Sequence, residues 1–238
     1  MASDPLIIAH RGASAVAPEN TRAAIREAIR MGAPVIEFDV RVTSDGQLVL
    51  FHDETLERIT GRKTEIESVS WDDLKEMDVG SWFDSERFPD EKPVLLSEAI
   101  ALCLEAEVIP LIERKSGKAE AYVEVIRKST AAERVIVQSF DWRFLVGLSG
   151  MRPALRIGAL GSKKLDRKRK GYLKELSPDW VGWKSADLSK DGLLWLQENG
   201  FTVALWTVND PDEAKRWLDQ GADAIITDRP DEMLSLLP

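Results

Sequence analysis

The chain has 238 residues, 44% of them hydrophobic and 31% charged, with a net charge of −9. Those proportions belong to a folded protein large enough to bury its own core, and they exclude a disordered chain. The negative balance argues against a nucleic-acid backbone as the main partner, the single Cys103 cannot form an intramolecular disulfide, and no apolar run approaches the roughly 20 residues of a membrane span.

The first residues, MASDPLIIAHRGAS, show no basic start and no long apolar stretch. The expectation is therefore a cytoplasmic protein with neither a leader nor stable membrane insertion. Leu6–Ala9 reads as the first strand. Asn20 reads as the cap of a helix running to Met31, with Ala24, Ile25, Ala28 and Ile29 at helical spacing and Gly32 as its stop. Val35–Val42 is the second strand, and the run LVLFH, ending in His52, follows it. The stretch from His52 to Pro93 is longer than a barrel loop and helix require. Asp72 to Met77 reads as a short helix, and Gly80–Phe83 and Asp84–Lys92 read as loop. This predicts a small inserted subdomain over about residues 53–93 at one end of the fold.

Six more strands are expected at Val108–Ile112, Val135–Ser139, Leu155–Ala159, Trp180–Trp183, Thr202–Thr207 and Ala224–Thr227. Asp187 or Ser189 opens a helix that ends at Asn199-Gly200, and Asp210-Pro211 opens another that ends at Gln220-Gly221. Eight strands alternating with helices predict an α/β protein, a (β/α)₈ TIM barrel that takes up residues 1–238 as one domain. The runner-up, an open doubly wound sheet, is weakened because no Gly-rich dinucleotide fingerprint follows the first strand. The basic run KKLDRKRK, Lys163 to Lys170, reads as a solvated surface in preference to an anion patch.

The second strand, VIEFDVRV, carries the most chemistry. Ile36, Phe38, Val40 and Val42 form one apolar face, and Glu37, Asp39 and Arg41 form the other. Two carboxylates inside a barrel repel and lose hydration unless something compensates them. A bound cation is one compensation, and Arg41 on the same face is the alternative. Glu113, at the end of the third strand in IPLIERKSG, adds a third carboxylate, although it could also pair with Lys115. An all-oxygen cluster suits a hard divalent cation, Mg²⁺ or Ca²⁺, better than zinc. The only histidines, His10 and His52, both fall after strands, at the rim where barrel active sites form, and can act as an acid–base pair. Arg11 and Lys115 are candidates for a phosphate clamp, against local pairing of Arg11 with Glu19 and of Lys115 with Glu113. Trp206 is either core or an apolar wall for a substrate, and Asn20 is either a cap alone or a cap that also orients the site.

The segments HRGASAVAPENT (His10 to Thr21), IEFDV (Ile36 to Val40), FHDETLERITG (Phe51 to Gly61) and the late LWTVN and ITDRPD resemble the glycerophosphodiester phosphodiesterases over nearly the whole chain. The resemblance implies hydrolysis of small-molecule glycerophosphodiesters to sn-glycerol 3-phosphate and an alcohol. It implies Glu37, Asp39 and Glu113 as ligands of a divalent cation, and His10 and His52 as acid and base, with His52 protonating the leaving alcohol. Arg11 and Lys115 would hold the phosphate and Trp206 would contact the glycerol. The family has Glu-Ile-Lys at the third strand where this chain has Glu113-Arg114-Lys115, and by alternation Arg114 should face away from Glu113. Two other readings stay open: a lysophospholipase D acting through the same site, with Trp82 and Phe83 as an apolar rim, and a non-catalytic barrel that only binds a ligand. Headgroup preference, the attacking group (water or a neighbouring substrate hydroxyl) and oligomeric state are left open by the sequence.

Overall fold

The computed structural model describes residues 5–129, 132–151 and 154–237. In chain order the elements are β1 (Leu6–Ala9), α1 (Arg22–Arg30), β2 (Val35–Val42), β3 (Leu48–Leu50), α2 (Glu57–Thr60), α3 (Trp71–Leu74), α4 (Ser81–Asp84), α5 (Leu96–Glu105), β4 (Ile109–Arg114), α6 (Ala119–Lys128), β5 (Ile136–Ser139), α7 (Trp142–Met151), β6 (Arg156–Gly161), α8 (Arg167–Leu176), β7 (Trp180–Lys184), α9 (Lys190–Glu198), β8 (Thr202–Trp206), α10 (Pro211–Asp219), β9 (Ala224–Thr227) and α11 (Pro230–Leu234). The sheet runs β1-β9-β8-β7-β6-β5-β4-β2-β3, and β1 pairs with β2 to close it. Eight parallel strands with helical crossovers thus form the (β/α)₈ TIM barrel that the strand–helix alternation predicts.

β3 is the strand that the sequence reading leaves out. It pairs antiparallel with the end of β2, Val40 opposite Leu50 and Val42 opposite Leu48, and lies outside the barrel count. Its three residues are uniformly apolar and all buried, so no alternation marked them as a strand. The expected loop over Ser81–Asp84 is instead a helical turn, α4. It follows Gly80, where a Cβ would stand 2.4 Å from the Phe88 carbonyl oxygen, so only glycine lets the chain return this closely.

Alternation along the strands makes two cores. Ile8, Val35, Leu111, Ile136, Trp180, Ala204, Ala224 and Ile226 face inward and fill the barrel floor. The opposite faces, including Ile36, Phe38, Val40, Ile112 and Val137, pack against helix residues such as Ile25, Leu145 and Leu196. Truncating one of these large buried side chains to alanine costs about 2–5 kcal/mol. A third cluster, with Phe51, Leu56, Ile59, Ile66, Leu74 and Val79, lies under the segment after β3. The carboxyl ends of the strands, with the loops that follow them, therefore rise from a rigid apolar floor.

α1 is capped by Thr21, not Asn20. The Thr21 hydroxyl accepts from the Ala24 amide at 3.2 Å and donates to the Pro18 carbonyl. Asn20 has a positive φ of 59°, which removes it from the extended conformation that a cap requires and frees its side chain for the site. α9 is capped by Ser189, and α10 by Asp210 with Pro211 behind it.

Candidate active site

The turn after β1 reverses over two residues in left-handed conformation, Arg11 (φ 56°) and Gly12 (φ 82°). A Cβ on Gly12 would sit 2.6 Å from the Ala24 carbonyl carbon, so both conformation and space call for glycine. The tight turn aims two backbone amides at β2. Arg11 N–H donates to Glu37 Oε2 at 3.0 Å and Gly12 N–H to the Glu37 carbonyl at 3.2 Å.

Glu37 and Asp39 both point into the barrel, and Asp39 is registered opposite Glu113 on β4. One oxygen from each of Glu37, Asp39 and Glu113 lies within 4.8 Å of the others, and all three residues are buried. Asp39 is the most tightly held. Asn20 Nδ2 donates to its Oδ2 at 2.9 Å, while Asn20 Oδ1 accepts from the Asp39 amide at 3.0 Å. Arg11 Nε stands 3.0 Å from Oδ2 and Lys115 Nζ 3.0 Å from Oδ1; these are ion pairs without hydrogen-bond alignment, and Oδ1 accepts no hydrogen bond. Glu37 Oε1 is likewise buried without a hydrogen-bond partner. Glu113 pairs with the Lys115 ammonium. Buried carboxylate oxygens without donors, converging from three side chains, fit a divalent cation, and a donor set of oxygens alone suits a hard one.

The alternative role of Arg41 is not what the structure has. Arg41 Nε donates to the His52 carbonyl at 2.9 Å, and its head faces Glu67 at 3.7 Å. Arg114 turns outward to the Gly117 carbonyl and to Asp141 at 3.2 Å, as alternation requires. The local pairs Arg11–Glu19 at 2.9 Å and Lys115–Glu113 do form, and both cations also face Asp39.

Each histidine has its own carboxylate. His10 Nδ1 lies 2.6 Å from Asp228 Oδ1, and Asp228 also accepts from Ser14 Oγ at 2.9 Å and from Asn209 Nδ2 at 2.6 Å. His52 Nδ1 lies 2.6 Å from Asp53 Oδ1. Arg58 donates to Asp53 at 2.6 Å and to Glu19 at 2.7 Å, which links the second histidine back to Arg11. With Nδ1 engaged, Nε2 is the free nitrogen on each ring.

The electrostatics follow from this placement. Burial and the Asp39 charge push Glu37 up to about 8. Burial would raise Asp39 too, but Lys115 and Arg11 hold it well below the usual carboxylate range. Burial and Asp39 raise Glu113. For His10, burial acts downward, and the Asp228 hydrogen bond with the Glu37 charge outweighs it, so its pKa rises. For His52 burial prevails and its pKa falls. Asp228 is drawn down to about 2: burial opposes this, and the His10 hydrogen bond and charge overcome it.

His10, Arg11, Glu37, His52, Glu113, Lys115 and Trp206 line one cavity of about 200 Å³ at the carboxyl ends of the strands, and Asp39 lies fully buried beside it. Every candidate from the sequence is thus brought together. Trp206 packs edge-on against Phe140, ring centroids 5.5 Å apart. Sequence reasoning missed Asp228, Asn209 and Asp53; of its two readings of Asn20, the site-orienting one is what the structure has, without the cap. It also missed Gln138, which is registered beside Glu113 and lines the cavity. Alternation would have found two of these: Gln138 shares a face with Ile136, and Asp228 shares one with Ile226, as Glu37 does with Val35.

Residues 10–232 match a family described as the glycerophosphoryl diester phosphodiesterase family. A protein of Caldanaerobacter subterraneus subsp. tengcongensis named glycerophosphodiester phosphodiesterase is 33% identical, over 98% of this chain and 97% of its own. Among solved structures, a phosphodiesterase of Oleispira antarctica in complex with the product sn-glycerol-3-phosphate superposes with a TM-score of 0.91 at 28% identity, covering 98% of this chain and 96% of its own. A glycerophosphodiester phosphodiesterase of Agrobacterium tumefaciens gives 0.84 at 26%, over 97% and 99%.

Proposed function

We infer the reaction from one premise: the chain belongs to the glycerophosphoryl diester phosphodiesterase family, and it is a glycerophosphodiester phosphodiesterase. The detailed reading is that Glu37, Asp39 and Glu113 hold a divalent cation, Mg²⁺ or Ca²⁺, while His10 and His52 move the protons. The observation that carries it is the convergence of three buried carboxylates between two histidines whose Nδ1 atoms are each fixed by a carboxylate.

When bound, a divalent cation supplies Lewis-acid polarisation of a phosphoryl oxygen and neutralises the three carboxylates. Arg11 and Lys115 offset charge that builds on the phosphoryl oxygens in the transition state. Arg11 is held against Asp39 and Glu19, and Lys115 against Asp39 and Glu113, so both donors are positioned before the substrate arrives. His10 Nε2 takes the proton of the attacking group, and His52 Nε2 gives one to the leaving alcohol, with one water consumed for each glycerol 3-phosphate released. His52 is the more exposed of the two, 33% against 17%, which suits the side from which the alcohol departs. Trp206 gives the glycerol carbons an apolar wall.

The test is release of glycerol 3-phosphate from glycerophosphocholine and glycerophosphoethanolamine with Mg²⁺, with Ca²⁺ and with chelator. The expected result is release with a cation and none with chelator, the two cations ranked by rate. Equal release in chelator would remove the cation from the account.

A further inference from the structure

Arg58 does not line the catalytic cavity, yet it is tied to two of the residues that do. α2, which carries it, is a single turn held from beneath and at both ends. Leu56 and Ile59 are buried in the cluster under the inserted segment. The Leu56 amide donates to the Thr64 carbonyl at 2.9 Å, and Gly61 ends the turn with a φ of 76°. A second piece of the same segment covers the guanidinium. Arg58 Cζ stands 5.2 Å from the centroid of the Trp82 ring, and Trp82 Nε1 donates to the Val79 carbonyl at 2.8 Å. The indole takes one face of the guanidinium and leaves its in-plane donors free.

Those donors are engaged along two edges. Nε donates to Asp53 Oδ2 at 2.6 Å, and the two terminal nitrogens donate to both oxygens of Glu19, at 3.0 and 2.7 Å. Asp53 turns its other oxygen to His52 Nδ1 at 2.6 Å. Glu19 Oε1 also accepts from Arg11 at 2.9 Å, and Arg11 faces the buried Asp39. Glu19 is thus anchored in the barrel. Asp53 is not: its side chain is 24% exposed, and among the described residues its partners are His52 and Arg58 alone. Without Arg58 that carboxylate would turn to water, and His52 would lose the fixed partner that decides which ring nitrogen faces the cavity. A lone exposed ion pair contributes little, but a bidentate one within a network is the geometry that does contribute.

We propose that Arg58 is a positioning residue for the acid of the reaction: braced on Glu19, it fixes Asp53 and, through Asp53, the His52 ring that protonates the leaving alcohol. The inference rests on the phosphodiesterase reading above, in which His52 is that acid. The inserted segment thereby takes part in the chemistry, since α2 supplies Arg58 and α4 the ring it packs against. The position calls for arginine. Lysine would keep the charge, but it is a point donor and cannot serve two carboxylates along two edges of one plane.

The test compares glycerophosphoethanolamine, whose leaving alcohol needs a proton, with the p-nitrophenyl ester of glycerol phosphate, whose leaving group does not. Arg58→Gln should lower kcat on the first about 10- to 100-fold and on the second less than about threefold, with little change in KM. Arg58→Lys should show the same selective loss. Because the two residues act in series, Asp53→Asn/Arg58→Gln should lose no more than the worse single variant. Circular dichroism checks the fold of each. An equal fall on both substrates, additive losses in the double variant, or full activity in Arg58→Gln or Arg58→Lys overturns the positioning role. His52→Ala, assayed alongside, tells that failure from failure of the parent reading. A selective loss in His52→Ala with none in Arg58→Gln sinks the role of Arg58 alone. An equal fall on both substrates in His52→Ala removes His52 as the acid, and Arg58 as its positioner with it.

Discussion

Asp228→Asn changes one atom at the residue that fixes His10. Asp228 Oδ1 faces His10 Nδ1 at 2.6 Å and takes the Ser14 hydroxyl, while Oδ2 takes Asn209 Nδ2 at 2.6 Å. Asn209 cannot turn over to adapt, because its Oδ1 already accepts from Thr227 Oγ1 at 3.0 Å and from the Asp228 amide at 2.8 Å. An asparagine at 228 therefore has two poor choices. With its oxygen toward His10, its NH₂ confronts the NH₂ of Asn209. With its NH₂ toward His10, the imidazole must carry its proton on Nε2, and the nitrogen facing the substrate can no longer accept one. Either way a hydrogen bond to a charged group is lost, about 1.5–3 kcal/mol, which corresponds to about a 10- to 150-fold fall in kcat/KM if it is lost from the transition state. The sign on pH is fixed as well. Burial acts to lower the His10 pKa and Asp228 leads the effects that raise it, so the variant moves the His10 limb of the pH–rate profile to lower pH. The assay is kcat and KM for glycerol 3-phosphate release across pH, with circular dichroism as the folding check. A folded Asp228→Asn enzyme within twofold of wild type and with an unshifted profile would refute the positioning argument.

Three further outcomes are expected. Asn20→Ala removes both bonds that hold Asp39 and should weaken divalent-cation affinity about 10- to 100-fold, measured by calorimetric titration; unchanged affinity would return Asn20 to a purely local role. Because burial and Asp39 push Glu37 up to about 8, cation binding near neutral pH must expel its proton. Affinity should then rise by up to about tenfold per pH unit below 8 and level off above it, and binding heats should depend on the buffer's ionisation enthalpy; pH-independent affinity would contradict this. His52→Ala should cripple hydrolysis of glycerophosphoethanolamine yet largely spare a p-nitrophenyl ester of glycerol phosphate, whose leaving group needs no proton. In the structure His10 is shifted up and His52 down, the reverse of that order. A cation on Glu37 would offset one support of His10. Loss of the activated ester in His52→Ala, with retention in His10→Ala, would exchange the two roles.

Period-two alternation made the barrel and most of the site legible. It put Glu37 and Asp39 on one face of β2, and it sent Arg114 away from Glu113. What it could not supply is which partner each site residue meets, because those pairings join residues distant in the chain. Asp228 meets His10 only after β9 has paired with β1 and closed the barrel. Asn20 misled for a different reason. Asparagine and threonine both cap helices, and the choice between neighbours was settled by backbone conformation, φ 59° at Asn20 against extended geometry at Thr21. β3 was hidden by its shortness and uniform apolarity. The basic run keeps its charged side chains at the surface, with Lys163, Lys164, Arg167 and Lys168 exposed.

The most direct test separates proton transfer from cation binding in one protein. His10→Ala should take up a divalent cation with the affinity of the wild type, because Glu37, Asp39 and Glu113 are untouched, and yet release no glycerol 3-phosphate above background. Turnover that persists in that variant with the cation bound would contradict the account, since the reaction would then proceed without the group assigned to start it.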